Sequence, residues 1–571
     1  MAKVKSDQAD FSKIITKFRG LGSSDTYLDD GADTMLNFRL TAEGTLQKRE
    51  GIRNLTYLPG MVRGIWQGTI GGYPYTFIVT GNTVWQIDTD GWYQTNIHTL
   101  SSNSGPVDFC EMNGCLYLLD GSTITVFDSN SYAFMEATPY APLIGENWHP
   151  TSMGQSKELP NLLTPRMRVH YKNTSGATTF YLPYYAKSVD CVLVNSSQTS
   201  DYVFTANTNH VKIPSAASAT EIVIAFTAPF NEYQRRSMLA AQRAFVFSDA
   251  GTQRMILYRT NEPYKLYLSS EVTDAMKNYC DLFYYGTTPI YFTSPGIFFV
   301  GDSQDPVTSI CPYYSSALIF TKNTTRLLRT EDGIPDTDVV LPHVGCTPVD
   351  GALVCDGTIV TVSKSSVYRL TSRRSTPEDI TAERVSDRVM NRMRNSITEN
   401  TIVFWNPRYL ELWIATPQEE SGLIWVWNAR ENEWYNFDDL PATHFFNTSQ
   451  GDVWCINGNV IYEFYDYYYH DDGNSYNATY TTKYLDLGDP DAVHRPLRWA
   501  ITARTTGSTT VMITTPRGNT QSTITKKIAF TYPEYYEGRI YPNRHRYIRF
   551  TFNCTGSGNV ALYRIALCSK K

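Results

Sequence analysis

The sequence predicts an all-β fold: a β-propeller with an inserted small β-sandwich and a C-terminal β-sandwich domain, carrying few short helices. Three observations predict it. Residues 401–468 read as short apolar runs (Val403 and Trp405; Leu410, Leu412 and Ile414; Ile424, Val426 and Trp427 with Trp434; Val453 and Cys455; Val460, Tyr462 and Phe464). Their period of two puts alternate side chains on one face of a strand. The turns NPR, ARENE and NGN between them reverse the chain within a few residues, and the stretch reads as one complete recurring unit. The second observation is a repeated form, an alternating strand, a tight turn and a second strand, at Thr76–Asp88, Cys115–Asp128, Ala317–Arg329, Thr358–Leu370 and Asp452–Phe464. Small sheets of this kind leave open edges and need like neighbours, which is the logic of a propeller blade. The third is 40 Tyr, 26 Phe and 11 Trp in 571 residues, an aromatic content that suits packing across strands.

Taken in order, residues 1–60 form an N-terminal segment with the opening hairpin of the propeller, NFRLTAEGTLQKREGIRNL, punctuated by Gly44 and Gly51. Residues 61–149 are the first part of the propeller. The Ser/Thr/Ala-rich texture and longer strands of residues 150–230, bounded by Pro150, Pro160, Pro165 and Pro229, predict the inserted sandwich. Residues 231–470 resume the propeller, opening on a short helix over Asn231–Gln242. A second helix is signalled where Thr376 can cap, Pro377 fits the first turn, and Glu378 and Asp379 face the positive end of the dipole. It runs toward Arg394 with Ile380, Val385 and Val389 as buried positions. Residues 471–571 hold about six alternating strands and no helix, read as an independent sandwich; Ile548, Phe550 and Phe552 point to its core, and Tyr547, Arg549 and Thr551 to the other face.

Composition excludes several function classes. A net charge of −6 without like-charge runs is no nucleic-acid footprint. Ten cysteines in this length are not a disulfide framework; Cys115, Cys191, Cys355, Cys455 and Cys554 fall in strand-like runs and read as buried free thiols. Cys110 and Cys115 lack further ligands for a metal. The first fifteen residues have no apolar core of a leader, and no run approaches the ~20 apolar residues of a membrane span, so a chain made and folded in a cytoplasm is the expectation.

No catalytic constellation stands out, and the chain is read as a non-enzyme without cofactor, metal or catalytic residue. The Gly71/Gly72 pair precedes a strand, not a helix, and so is no phosphate loop. The nine histidines are scattered. Asp471 and Asp472 before Gly473 and Asn474 have oxygen ligands for calcium, but a plain acidic turn is the favoured reading because the alternation of a calcium loop is missing. Asp338 with Asp350, or Glu419 with Glu420, are the carboxylates a glycosidase pair would need, at a separation sequence does not give. Arg384, Arg388, Arg392 and Arg394 make the most basic stretch, favoured as a solvated helix face over a binding patch.

Several segments, in their order, resemble tail nozzle proteins of short-tailed bacteriophages, also called tail hub or tail tubular B proteins. NFRLTAEGTLQKREGIRNL is similar to their opening segment; DSQDPVTSICPYYSSALIFTKNTTRLLRTEDG with GCTPVDGALVCDGTIVTVSKSSVYRLT to their propeller; IWVWNARENEWYNF to a late propeller hairpin with its Trp pair; and KYLDLGDPDAVHRPLRW to the start of their C-terminal β-domain. The resemblance touches most of the chain apart from residues 150–229 and the extreme N-terminus.

It implies a structural virion protein: a homohexameric ring below the adaptor and portal, located in the tail and assembled in the host cytoplasm. Genome DNA would pass through its lumen during ejection without sequence-specific contact. Its partners would be the tail adaptor or head-to-tail connector protein and tail fibres or receptor-binding proteins, for which the insertion is a platform or a ring contact. Two other readings stay open from the residues themselves: a carbohydrate-binding or carbohydrate-active propeller, since Tyr and Trp suit stacking on sugars, and a minor tail or baseplate protein of a long-tailed phage.

Overall fold

The computed structural model describes residues 13–26, 29–129, 131–249, 251–272, 290–364, 366–372, 379–394, 396–416, 423–438, 440, 442–465, 468–486, 493, 495–505, 509–517, 520–528, 534–539, 547–556 and 558–570. The chain is nearly all β. Six separate four-stranded sheets, and a seventh four-stranded run inside a larger sheet, are antiparallel meanders with the form of propeller blades. In chain order they begin at Val62, Asp108, Arg243, Val307, Ala352, Ile402 and His444, and are called blades 1 to 7.

All five copies of the repeated form are the second and third strands of a blade, in blades 1, 2, 4, 5 and 7. Blades 3 and 6 escaped the pattern because their second and third strands, Thr252–Tyr258 with Lys265–Ser269 and Glu411–Ala415 with Ile424–Asn428, are joined by longer connections. Residues 401–468 are not one unit, as the apolar runs suggested, but seven strands shared by blades 6 and 7.

The chain divides into two compact units, Arg63–Thr321 with Arg326–Val339, and Met1–Val62 with Lys322–Thr325 and Val340–Lys571. In the first unit neighbouring blades stack through apolar faces. Phe77, Val79, Leu116, Leu118 and Phe127 join blades 1 and 2; Met112, Tyr117, Leu119, Met255 and Leu257 join blades 2 and 3; Ile256, Leu266, Ile310 and Ile319 join blades 3 and 4. Between blades 2 and 3 the chain forms a five-stranded sheet, with Arg166–Lys172, Glu221–Thr227 and Ser188–Val194 at its centre, and a three-stranded sheet of Thr179–Ala186, Thr208–Lys212 and Val203–Phe204. Val169, Tyr171, Phe180, Val192, Val211, Ile222 and Ile224 fill the core they share. The helix after it spans Glu232–Leu239, capped by the Asn231 side chain accepting from the Gln234 amide.

The second unit is woven from both ends of the sequence. Ile52–Tyr57 pairs antiparallel with Val460–Phe464 and so supplies the fourth strand of blade 7. Ala32–Leu36 lies between the last strand of blade 6, with Leu36 beside Asn436, and Ala478–Thr482, extending that blade into a nine-stranded sheet. The hairpin Phe38–Leu40 with Leu46–Lys48 turns at Gly44, whose φ is 75°, but joins the long C-terminal strand Val560–Lys570 instead of the propeller.

Two expectations are therefore corrected. The opening hairpin belongs to the C-terminal sheets, and residues 471–571 are not an independent sandwich: their strands are hydrogen-bonded to residues 13–48 and continue the sheet of blade 6. Alternation along the chain identified strands but carries no information on their partners. The predicted faces do hold, with Ile548, Phe550 and Phe552 at 0%, 3% and 2% exposure.

A third correction concerns residues 376–394. Thr376, Pro377 and Glu378 lie outside the described residues. Ile380–Arg384 is the last strand of blade 5, paired with Val367–Ser372, and the only helical turn described there is Met390–Met393. Strand pairing supplies hydrogen bonds that outweigh a local cap signal; Ile380, Val385 and Val389 are nonetheless buried.

At Gly51 the N-terminal segment runs directly against the backbone that follows blade 7. The Gly51 amide donates to the Tyr468 carbonyl at 2.6 Å, and a Cβ there would sit 2.1 Å from the His470 carbonyl oxygen. Gly51→Ala therefore forces backbone apart, and urea denaturation is expected to show a loss of about 2–4 kcal/mol, well above the ordinary cost of a surface substitution.

Candidate functional site

The most concentrated chemistry in the second unit is a buried charge network that begins on the N-terminal hairpin. Strand alternation turns Arg39 inward, where its Nε and Nη2 meet the two carboxylate oxygens of Glu411 at 2.6 and 3.2 Å, and its Nη1 meets Glu50. The guanidinium lies 3.6 Å above the Tyr409 ring. Glu411 also accepts from the Tyr435 hydroxyl at 2.7 Å and the Trp413 indole at 2.9 Å, and Glu50 from the Tyr409 hydroxyl at 2.7 Å. Burial alone would lift the Glu50 carboxyl, but Arg39 and the Tyr409 hydrogen bond outweigh it and hold it below the usual carboxylate range. Arg39 is disfavoured as a cation by burial, yet Glu411 and Glu50 raise it well above its ordinary value.

Arg49 makes the second half of the network. Its Nη1 and Nη2 hold Asp471 at 3.0 and 2.6 Å, its Nε reaches the Asn37 side chain at 3.0 Å, and the Tyr476 ring lies 3.9 Å away. Asp471 also accepts from the Ile52 amide at 3.2 Å. Lys48 donates to the Tyr469 and Gly556 carbonyls at 3.2 and 2.7 Å, and burial pushes its amine down to about 8. Outside this core, Glu433, with a side chain 4% exposed, is shared by Arg19 at 3.0 Å and Arg388 at 3.2 Å. Chemically the network is a set of buried charge pairs, bidentate at Arg39–Glu411 and Arg49–Asp471, that fix strand register, and each acid already has its donors.

The residues singled out by sequence take other places. Asp471, one half of the imagined calcium turn, is committed to Arg49, while Asp472 and Gly473 adopt φ of 48° and 87° in the turn itself. Among the described residues no group of three or more His, Cys, Asp or Glu side chains has metal-binding geometry.

Arg384, Arg388 and Arg392 are not one helix face but separate clamps, on Asp387, Glu433 and Asp33, and Arg394 is exposed. Asp338 pairs with Arg329 at 3.2 Å, and Asp350 occupies a left-handed turn; Glu419 and Glu420 lie outside the described residues. The cysteines named as strand thiols are free, and burial pushes Cys355 and Cys455 up to about 12. The network itself was missed. Its one sequence signal is the charged set Arg39, Lys48, Arg49 and Glu50 crowded into and just after a short hairpin.

Cavities in this unit are lined by groups already described or by further ion pairs. One of about 270 Å³ is lined by Ile52, Tyr462, Asp471, Asp472 and Tyr476, and one of about 310 Å³ by Ser24, Thr26, Asp33, Lys483 and Arg549. In the first, Asp471 is occupied by Arg49. In the second, Lys483 is held by the Ser23 and Thr26 carbonyls and Asp33 by Arg549. No described helix is long and apolar enough to cross a membrane.

No protein-family model and no curated protein matches the sequence. Among solved structures, the extracellular domain of a one-component system protein of B. thetaiotaomicron is similar over 90% of this chain and 61% of its own length, at 9% identity and a TM-score of 0.37. The CNH domain of AfRom2 is similar over 72% of this chain and 98% of its own, at 8% identity and a TM-score of 0.36. BBS1N, solved in complex with ARL6DN, covers 74% of this chain and 98% of its own, at 10% identity and a TM-score of 0.35. Scores of this size carry no argument about function. The fold rests on the strand pairing described above.

Breaking one partner of the Arg39–Glu411 pair leaves the other charge buried. Arg39→Leu is expected to cost about 3–5 kcal/mol in denaturant titration, and Arg39→Leu with Glu411→Leu less than the sum of the two single changes.

Lys48 yields a pH dependence. Between about pH 8 and its unfolded value near 10.5 the unfolded chain holds a proton that the folded chain has released, so Lys48 contributes stability that rises with pH across that window. The stability difference between wild type and Lys48→Met, measured at pH 7.5 and 9.5, should move in favour of wild type by on the order of 1 kcal/mol.

Proposed function

We propose that the chain is the nozzle or hub subunit of a short-tailed bacteriophage tail. It would be a structural virion protein that assembles as a ring, expected to be hexameric, below the adaptor and portal, and serves as conduit and closure for genome DNA. The observation that carries the reading is where the resembling segments fall. NFRLTAEGTLQKREGIRNL supplies both the Arg39/Arg49 hairpin and the closing strand of blade 7; IWVWNARENEWYNF is the outer hairpin of blade 6, on which Leu36 pairs; KYLDLGDPDAVHRPLRW leads from Ala478–Thr482 into the long strand Arg495–Thr505. Three segments that are far apart in sequence and similar to one family in the same order thus meet in one interwoven unit.

Charge and chemistry support the same reading. A net charge of −6 suits a channel along which a polyanion slides, because a basic lining would hold DNA by releasing counterions. The polar groups described in the buried network are committed to structure, as befits a mechanical part.

Native mass measurement and electron microscopy of the purified chain, alone and mixed with adaptor complexes from short-tailed virions, test the proposal. A closed six-fold ring, or ordered addition beneath an adaptor, is the expected result. A monomer that stays indifferent to adaptor at micromolar concentration would sink it.

A further inference from the structure

Blades 1 and 2 carry aromatic side chains at the same end of adjacent sheets. In a meander, the turn between the first and second strands and the turn between the third and fourth lie at one end. For blade 1 these are Gly71–Gly72, followed by Tyr73, and the loop from Asp88 to Tyr93; for blade 2 the second is the loop from Asp128 to Ala133, which contains Tyr132. The two blades present this end together, since a Cβ on Gly71 would lie 3.4 Å from the Ser129 hydroxyl. Tyr73, Tyr93 and Tyr132 are 63%, 73% and 58% exposed.

The backbone holds aromatics here at a conformational cost. Both loops close on a left-handed residue, Trp92 at φ 56° and Tyr132 at φ 51°. The matching loop of blade 6 closes on Asn432 at φ 53°, and the tight turns at Asn113–Gly114 and Asp332–Gly333 also use the small polar residues and glycine that tolerate this region. A bulky side chain in the left-handed region is unfavourable by roughly 1–2 kcal/mol, and nothing in the turn geometry asks for one. Arg259, Tyr314 and Leu410 carry the same cost elsewhere; at Tyr132 it falls on a side chain that is 58% exposed, so burial does not offset it.

The chemistry around these rings selects a partner. Tyr93 packs against Gly91, where a Cβ would meet its ring carbons at 2.3 and 2.6 Å, and nothing stands within 4 Å of the position a Cβ would take on Gly72. Most of the Tyr93 side chain is left to solvent. Next to the cluster, Tyr75, Phe77, Phe127 and Phe134 pack together with centroids 4.9–5.5 Å apart, Tyr75 stacked on Phe77 and the other pairs tilted or edge-on. The Tyr75 hydroxyl is buried there without a hydrogen-bond partner. Tyr132 and Tyr73 lie close enough to that hydroxyl to add, after burial, to the rise in its pKa.

Hydroxyl and carboxylate groups border the rings. Ser131 bonds Asp128 at 2.9 Å, and the Asp90 amide bonds Asp88 at 3.0 Å. The segments 71–74, 88–94 and 128–133 contain Asp88, Asp90 and Asp128 and no Lys or Arg, which disfavours phosphates and other polyanions. Leu, Ile, Val and Met are absent from the same segments, so the surface lacks the aliphatic centre of a stable protein interface.

We infer that the turn face formed by Tyr73, Tyr93 and Tyr132 binds an uncharged saccharide chain, its sugar rings stacked on the tyrosine faces and its hydroxyls bonded to the neighbouring Asp and Ser side chains. Aromatic rings with an apolar face and a polar tip suit a ligand that is itself apolar on its C–H face and polar at its rim. The assignment does not rest on the tail reading. Absence of a ring in the imaging experiment leaves it standing, and absence of saccharide binding leaves the ring standing.

The test is retention of the full-length chain on an array of cellohexaose, chitohexaose, maltohexaose and yeast mannan, with heparin and double-stranded DNA as polyanion controls. Wild type is expected to be retained on at least one neutral glycan and not on the polyanions. Tyr93→Ser with Tyr132→Asn should weaken retention about tenfold or more without lowering the melting temperature, because Asn fits the left-handed position. Tyr93→Phe with Tyr132→Phe should keep most of it, and Tyr535→Ser, at an exposed tyrosine of the other unit, all of it. Retention on none of the four glycans, or retention unchanged in the Ser/Asn variant, overturns the inference. So does a Ser/Asn variant that changes only the oligomeric state in native mass measurement, which would assign this face to contacts between copies.

Discussion

The pairing of Arg39 with Glu411 and Glu50, backed by Arg49 with Asp471, is the constraint on which the second unit depends. Each guanidinium is buried, each carboxylate is closed by donors from a different segment, and the members come from the hairpin, from blade 6 and from the turn after blade 7. A buried ion pair adds little net stability over a well-packed apolar pair, but a mispaired one is heavily penalised. A strand slipped by one residue would turn Arg39 or Arg49 to the wrong face and leave a charge unpaired in the core. The network therefore selects one register among the many that a chain rich in alternating strands could form.

That selection explains how the two ends of the sequence share their sheets. Apolar alternation lets residues 32–57 pair with almost any edge. The salt bridges specify Glu411 of blade 6 and Asp471 after blade 7 as partners, and the backbone approach at Gly51 admits no side chain there. Closure of blade 7 by Ile52–Tyr57 follows, because that strand begins immediately after Arg49 and Glu50 are fixed. A blade completed by a distant strand removes an exposed edge, which an all-β chain would otherwise offer to other chains.

The first unit is built differently. Each of its blades is built from strands consecutive in sequence, the blades stack through apolar side chains, and many of its polar groups sit in turns such as the one where Asp120 accepts from Ser102, Ser122 and Thr123. Those turns are where sequence is free to vary without disturbing the stack. An aromatic residue at Tyr132, where Asn or Gly would be easier, is consequently more informative about binding than the larger aromatic set buried between the blades.

Strand content, five of the blade hairpins, the burial of Ile548, Phe550 and Phe552, and the free thiols were legible before folding, because each depends on local alternation and turn chemistry. A short helix over Asn231–Gln242 was legible too, and the structure narrows it to Glu232–Leu239. Only the tertiary structure decided that Ile380–Arg384 is a strand, that the hairpin at Gly44 belongs with Val560–Lys570, and that residues 471–571 are tied to the N-terminal segment. Strand partners are set by contacts across hundreds of residues, and period two is the same whichever edge a strand joins. The charge network was hidden for the same reason. Arg39 and Glu411 look like ordinary polar residues until folding places a guanidinium and a carboxylate 2.6 Å apart where water cannot reach them.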